Sequence, residues 1–300
     1  MRLYQAGIYT SNFNRAGNVY ARLDDTEKWM RDSVQFYLES YHYIHADRLV
    51  QRIRAENVKV FLDSGAFSAF TQGVEIDIGE YCDYIHKNAD IVDFPSVLDA
   101  IGDPEGTWRN QEEMERRGVQ PLPCFHYGEP LDLLRHYVAK YPYITIGGMV
   151  PISTPQLKIW LDDIWRTVLA DEYGRPRVKV HGFGLTSLPL MMRYPWFSVD
   201  SSTWVQWAAN GMILIPTRTG QLDVSSKSSR RKIPNQHLDS LPPMVTQEIE
   251  NEIRGFCVDP QRLRDLYYSR WAWNAWAFPW FAKDKVWEGD VLQIETQGFF

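Results

Sequence analysis

Short apolar runs alternate with helical patterns over the first 216 residues, and this alternation constrains the fold more than any other feature. Helical patterns lie near residues 26–38, 44–55, 77–88, 106–117, 130–140, 154–170 and 186–192. The candidate strands are residues 3–9, 58–63, 91–95, 121–126, 143–147, 178–183, 196–200 and 211–216. Strands separated by helices predict an α/β protein with a (β/α)₈ (TIM) barrel. The absence of G-x-G-x-x-G after the first strand disfavours the alternative, an open doubly wound sheet.

The alternation ends near residue 217. The segment "TRTGQLDVSSKSSRRKIPNQ" is typical of a polar, basic loop, and residues 246–258 and 260–282 have helical patterns. We therefore predict a barrel core at 1–217 and, at 218–300, a basic loop and aromatic-rich C-terminal helices packed on the barrel as part of one domain. Positions 273, 276, 277 and 280 fall on one helical face, which indicates core packing for most of this aromatic-rich segment.

Composition restricts the class of protein and its compartment. The 300-residue chain is 44% hydrophobic and 23% charged, as in an ordinary globular protein. It has neither an apolar run of membrane-spanning length nor an N-terminal signal-peptide pattern, so we expect a cytoplasmic protein. Its three cysteines are far apart, which predicts neither a disulfide framework nor a metal cluster. The net charge of -6 gives no global nucleic-acid signature, although a local basic stripe can still bind phosphates.

Polar and small residues follow the predicted strands at the positions where a barrel would hold its active site. Taken singly, each has a structural explanation: an aspartate after a strand often begins a turn, paired glycines form tight turns, and a phenylalanine usually belongs to the core. Their joint occurrence favours a site at one barrel mouth. The members are Asp63-Ser64-Gly65-Ala66-Phe67, Asp99, His126, Gly147-Gly148-Met149, Gly182-Phe183-Gly184 and Asp200.

These residue types suit chemistry at a sugar carbon that carries a flat base. One carboxylate can attack the carbon through an oxocarbenium-like transition state while a second acts as acid and base. Glycines let backbone N–H groups approach a flat ligand, and an aromatic ring provides a stacking face. The pattern therefore predicts base exchange or hydrolysis at the glycosidic bond of a nucleobase, without any required metal or cofactor.

The order and spacing of these motifs between residues 58 and 205 resemble the tRNA-guanine transglycosylase superfamily. The aspartate-serine-glycine-x-aromatic element at 63–67 is the most specific part of the match. The resemblance implies a (β/α)₈ barrel that replaces guanine with a 7-deazaguanine. It identifies Asp200 as the nucleophile at C1′ and Asp63 as the acid/base.

The resemblance also implies the base-binding residues. Phe67 would stack on the base, and Asp99 would accept hydrogen bonds from its N1–H and exocyclic amine. The backbone at Gly147 and Gly148 would donate to the base carbonyl or line the pocket. His126 stands where the family usually has glutamine, and it could bond the heterocycle.

One departure from the family concerns the polymer substrate. The tRNA enzymes have a cysteine-rich zinc site after the nucleophile, whereas here only Cys257 and His237 follow Asp200 as potential ligands of that kind. The chain in this respect is similar to the short, mostly phage-encoded branch that inserts 7-deazaguanines such as preQ0 into DNA, which implies a host cytoplasm and a guanine flipped out of the duplex. Alternatives are the same exchange on tRNA, a barrel that processes a small glycoside or nucleoside, and a non-catalytic partner subunit.

A basic cluster supplies candidate DNA contacts. Lys227, Arg230, Arg231 and Lys232 lie in the loop after the last predicted strand, and Arg218 precedes them. The competing interpretation is a solvated loop. The expected partners are duplex DNA and a free 7-deazaguanine base, with no membrane, and the sequence predicts no oligomeric state.

Overall fold

The computed structural model describes residues 1–218 and 220–283. Its strands are Arg2–Ala6 (β1), Tyr37–Ser40 (β2), Val60–Asp63 (β3), Val92–Pro95 (β4), Cys124–His126 (β5), Tyr143–Gly147 (β6), Lys179–Gly182 (β7), Ser198–Ser201 (β8), Met212–Ile215 (β9) and Gly220–Asp223 (β10). Its α-helices are Asp25–Asp32 (α1), Tyr41–Ile44 (α2), Asp47–Ala55 (α3), Ala66–Thr71 (α4), Ile78–Lys87 (α5), Pro104–Arg116 (α6), Leu131–Lys140 (α7), Thr154–Ile164 (α8), Leu188–Arg193 (α9), Thr203–Ala209 (α10), Pro243–Gly255 (α11), Pro260–Asp265 (α12), Tyr267–Ala277 (α13) and Trp280–Lys283 (α14).

The described chain forms two compact units. The first comprises residues 1–11 and 36–201, and the second comprises 12–35 and 202–283. The units therefore divide the chain elsewhere than at residue 217, the boundary expected from the sequence. No helix among the described residues combines the length and apolar character that a membrane span requires.

The first unit is built on eight parallel strands in the order β4-β3-β2-β1-β8-β7-β6-β5. Strands β1 and β8, the first and last of these strands along the chain, pair with each other, with Tyr4 opposite Asp200. Where the two edge strands meet, Val97 N–H donates to the Leu122 carbonyl at 3.0 Å, and Leu122 N–H donates to the carbonyl of Pro95, the last residue of β4, at 2.8 Å. The sheet is therefore curled, with hydrogen bonds between its two edges, and is consistent with the predicted TIM-like barrel.

Two strand assignments made from the sequence were wrong. The prediction missed β2, because "YLES" carries an acid, Glu39, where a buried strand was expected to be apolar. It also counted residues 211–216 as the eighth barrel strand. That segment contains β9, which pairs antiparallel with β10 in the second unit, so Asp200 ends the eighth strand of the barrel sheet and not the seventh.

Aromatic packing supports the interior of the first unit. Phe61 is fully buried, and its ring contacts Tyr4 edge-on with centroids 5.4 Å apart. Such pairs add about 1 kcal/mol beyond the burial of their apolar area. The core cluster comprises Tyr4, Leu38, Phe61, Leu122, Tyr143 and Phe197.

In the second unit, helix α13 packs against strand β9. Trp273 Nε1 donates to the Leu214 carbonyl at 2.7 Å, and the Asn274 side chain bonds both Leu214 N–H and the Met212 carbonyl. Trp273 and Trp276 are buried. The prediction that most of this aromatic face is core packing is confirmed for these two residues.

Candidate active site

Residues at the carboxyl ends of the strands of the curled sheet surround a cavity of about 600 Å³ in the first unit. This volume falls within the usual range of small-molecule sites. Most of the residues predicted for the site line it, whereas Ser64 and Gly182 do not. The predicted residues at the wall are Asp63, Gly65, Ala66, Phe67, Asp99, His126, Gly147, Gly148, Met149, Phe183, Gly184 and Asp200.

Asp63 both begins a turn and lines the cavity. Its Oδ2 accepts the N–H of Gly65 at 3.1 Å, which is the Asx-turn geometry expected after a strand. Gly65 has φ +75°, and a Cβ there would lie 2.2 Å from Ser40 Oγ, so only glycine fits. The neighbouring Ser64 N–H donates to the buried Ser96 hydroxyl at 2.9 Å. These bonds hold the turn that follows β3.

The electrostatics at Asp63 suit proton exchange near neutral pH. The pKa of Asp63 is raised from 3.8 to about 7, mainly by burial and in addition by the negative charges of Asp99 and Asp200. The N–H groups of Gly65 and Ser64 partly oppose the shift. A carboxyl with this pKa is present in both protonation states near pH 7, which is what a general acid and base requires.

Asp200 is buried at the cavity wall and held by two donors. Its Oδ1 accepts the backbone N–H of Gly184 at 2.8 Å and lies 3.3 Å from His181 Nε2. Burial lowers the pKa of His181, against the opposing effect of Asp200, so a neutral imidazole is favoured. Because the carboxylate can only accept, the ring hydrogen belongs on Nε2.

The other nitrogen of His181 completes a buried chain of hydrogen bonds. Nδ1 lies 2.6 Å from the Ser198 hydroxyl, which lies 2.6 Å from the Tyr143 hydroxyl. With Nδ1 accepting, Ser198 donates to it and accepts from Tyr143. Sequence analysis missed His181, although a histidine inside the apolar run 178–183 was a usable signal.

A second group of polar side chains surrounds His126. Its Nδ1 lies 3.0 Å from Glu129 Oε1, and its Nε2 lies 3.5 Å from Asp99 Oδ1 and 3.4 Å from Cys124 Sγ. Burial opposes the charged imidazolium, but Cys124, Asp99 and Glu129 outweigh burial and raise the pKa of His126. Cys124 and Glu129 also line the cavity and were not predicted as site residues.

Glycines make room for this group. A Cβ on Gly147 would lie 2.9 Å from Cys124 Sγ and 3.1 Å from His126 Cδ2. Gly148 adopts φ +68° at the turn that follows β6. Gly182, by contrast, packs against the Trp196 ring, 3.2 Å from where its Cβ would be. Its role is therefore close packing behind the wall.

Apolar side chains are exposed at the cavity. Phe67, on α4, is 59% exposed, and Tyr127 and Val150 are also exposed lining residues. Phe67 is therefore not a core residue. An exposed ring at a concave site provides a face on which a flat ligand can stack.

The predicted DNA-contact residues lie in the second unit and differ in their ion pairing. Arg218 pairs with Glu248 at 2.9 Å, and Arg231 pairs with Asp239. Lys227, Arg230 and Lys232 are exposed.

Comparison with known proteins does not identify a family for the chain. No protein-family model matches the chain, and no curated protein matches it.

Proposed function

We propose that this protein is a transglycosylase that exchanges guanine in DNA for a 7-deazaguanine base. The single observation that carries the proposal is that Asp63 and Asp200 line one cavity while the pKa of Asp63 is raised to about 7. A nucleophilic carboxylate next to an acid of near-neutral pKa is the pair that glycosidic exchange requires.

In the first step, an Asp200 oxygen attacks C1′ of the target nucleotide and the bond from C1′ to the base breaks. The electron pair of that bond leaves with guanine, and protonated Asp63 gives its proton to the departing base. The products are free guanine, an ester between Asp200 and the sugar, and an Asp63 carboxylate.

In the second step, the Asp63 carboxylate removes a proton from the incoming 7-deazaguanine. The base nitrogen then attacks C1′, and the ester bond to Asp200 breaks with its electron pair returning to the carboxylate. The N–H of Gly184 and the Nε2–H of His181 donate to Asp200 Oδ1, which orients the carboxylate for attack and stabilises its charge on release.

The exposed ring of Phe67 would hold the base by stacking, and the backbone near Gly148 would contact its edge. The basic side chains of the second unit favour a polyanion, because phosphate contacts supply affinity without reading sequence.

The test is incorporation of labelled guanine or 7-cyano-7-deazaguanine (preQ0) into duplex DNA, into tRNA, and into a free guanosine control. We expect label in DNA, and a protein–DNA adduct with wild type that Asp200→Ala does not form. Label in tRNA alone would mean that the protein performs the same exchange on RNA. Release of base only from the nucleoside would assign a small-molecule glycosidase. Full exchange by Asp200→Asn would overturn the mechanism.

A further inference from the structure

Three potential metal ligands converge at the cavity wall. Asp99 Oδ1, Cys124 Sγ and His126 Nε2 all lie within 4.8 Å of one another. The two separations that involve His126 are 3.5 Å and 3.4 Å. Ligand atoms bonded to a tetrahedral Zn²⁺ at its usual bond lengths are separated by roughly 3.3–3.6 Å. The group is therefore close to the arrangement that one such ion would require.

The orientation of His126 also suits a metal. Glu129 Oε1 lies 3.0 Å from Nδ1, and Glu129 Oε2 accepts the backbone N–H of His126 at 2.9 Å. A carboxylate that accepts Nδ1–H leaves the Nε2 lone pair directed at the other two ligands. This carboxylate-histidine pairing is the usual outer support of a metal-bound imidazole.

Asp99 gives an independent indication that the group suits a cation. Its Oδ1 is buried and has no hydrogen-bond partner within the part of the chain that the structure describes. An unsatisfied buried carboxylate oxygen is costly, and a bound cation would satisfy it. Gly147 preserves the space, since a Cβ there would lie 2.9 Å from Cys124 Sγ.

The donor set selects the kind of ion. A thiolate with an imidazole and a carboxylate suits Zn²⁺, whereas Mg²⁺ and Ca²⁺ take oxygen ligands. All three ligands line the cavity of about 600 Å³, so a fourth coordination position would face it. Three protein ligands with one open position are typical of zinc sites that bind water or a ligand atom.

We propose that Asp99, Cys124 and His126 bind one Zn²⁺ ion, that Glu129 positions His126, and that the fourth coordination position opens into the cavity. This site lies outside the prediction from sequence, which included no metal. It does not depend on the transglycosylase proposal, because binding is measurable without any exchange reaction. With zinc bound, Asp99 and His126 would interact with a ligand in the cavity through the ion that they coordinate.

The experiment measures metal binding to the full-length protein. The protein is stripped with a chelator and dialysed against Zn²⁺, its metal content is determined by mass spectrometry, and its affinity is determined by competition with a chromophoric chelator. We expect one equivalent of zinc. Replacement by Co²⁺ should produce a thiolate-to-cobalt charge-transfer absorption in the near ultraviolet.

Variants separate the site from adventitious binding. Cys124→Ser should lose the charge-transfer band and the stoichiometric zinc, whereas Cys82→Ser, which alters another buried cysteine, should retain both. Glu129→Gln keeps the ligands and should weaken zinc binding by about 10- to 100-fold. It serves as the second test if Cys124→Ser does not fold.

The competing explanation is an imidazolium between two carboxylates, which needs no metal. It predicts substoichiometric zinc in wild type and the same Tm with and without Zn²⁺, and that result would overturn the proposal. Unchanged zinc content and cobalt spectrum in Cys124→Ser would overturn it as well. A folded Glu129→Gln with wild-type affinity would contradict the positioning role. A bound ion should raise the Tm, since it stabilises only the folded state.

Discussion

His181 Nε2 lies 3.3 Å from Asp200 Oδ1, and the histidine is completely buried behind the carboxylate. Its ring also stacks on Phe61 with centroids 4.5 Å apart. The imidazole therefore has a fixed orientation. A neutral ring held in this way directs its single N–H at the proposed nucleophile.

Replacing His181 tests this positioning. A hydrogen bond to a charged group contributes about 1.5–3 kcal/mol, so His181→Phe should lower the kcat of base exchange by roughly 10- to 150-fold with little change in KM. His181→Gln, which retains a donor, should recover part of the loss. His45→Gln, at a histidine outside the cavity wall, serves as control. Equal kcat in folded His181→Phe and wild type would show that His181 does not position Asp200 for catalysis.

The raised pKa of Asp63 predicts opposite pH dependences for the two half-reactions. Formation of the covalent adduct requires protonated Asp63, so its single-turnover rate should fall as pH rises through about 7. Attack by the incoming base requires the Asp63 carboxylate, so that rate should rise over the same range. The measurement is adduct formation and release by rapid quench at a series of pH values.

Asp63→Asn should abolish the second dependence together with turnover, because the amide cannot accept the proton. Parallel pH profiles for both steps would contradict the assignment of Asp63 as a shared acid and base.

Glu39 predicts a pH dependence of stability. Burial raises its pKa from 4.5 to about 7, although the Thr10 hydroxyl and the N–H groups of Tyr9 and Thr10 oppose the shift. The folded state thus binds this proton more tightly than the unfolded state. The free energy of unfolding should fall as pH rises from about 4.5 to about 7, by up to about 3 kcal/mol for this group.

Glu39→Gln is isosteric and can still accept the Tyr9 N–H. It should be more stable than wild type above pH 7, and the difference should vanish near pH 4.5. Urea unfolding at both pH values measures it. A constant difference across the range would mean that the pKa of Glu39 is not raised in the folded protein.

Phe67 should contribute to binding rather than to stability, because its side chain is 59% exposed. Stacking of a base on an aromatic ring contributes about 1–3 kcal/mol, so Phe67→Ala should weaken binding of the free base by roughly 5- to 150-fold. Phe70→Ala is a matched control on the same helix, since Phe70 is 62% exposed and lies outside the cavity wall. Calorimetric titration with preQ0 compares them. Equal affinities for the two variants would exclude the stacking role.

The basic cluster predicts the salt dependence of DNA binding. Replacing Arg230 and Arg231 with alanine should lower the slope of log affinity against log salt concentration by up to about two phosphate equivalents. Because Arg231 is paired with Asp239, Arg230→Ala alone should account for the larger part. Arg109→Ala, at an exposed ion-paired arginine of the first unit, is the control. A slope identical to that of wild type would mean that the cluster is a solvated loop that makes no phosphate contacts.

The strands of the first unit were largely predictable because buried parallel strands are apolar on both faces. Residues 58–63, 91–95, 143–147 and 196–200 all contain or overlap observed strands. The segment 37–40 was not recognised because Glu39 interrupts its apolar pattern, and the compensating donors on Tyr9 and Thr10 come from a distant loop. A buried acid is acceptable in a strand only when such donors are present.

Local pattern by itself determined that acids, glycines and an aromatic residue follow successive strands, since strand ends and turns have short-range signatures. Only the tertiary structure decided which strands pair, because the apolar pattern of residues 212–215 is the same whether its neighbour is parallel or antiparallel. It alone brought His181 against Asp200, and Cys124, Asp99 and Glu129 around His126. These contacts join residues on different elements, and their hydrogen bonds and electrostatic interactions depend on distances that the order of residues does not encode.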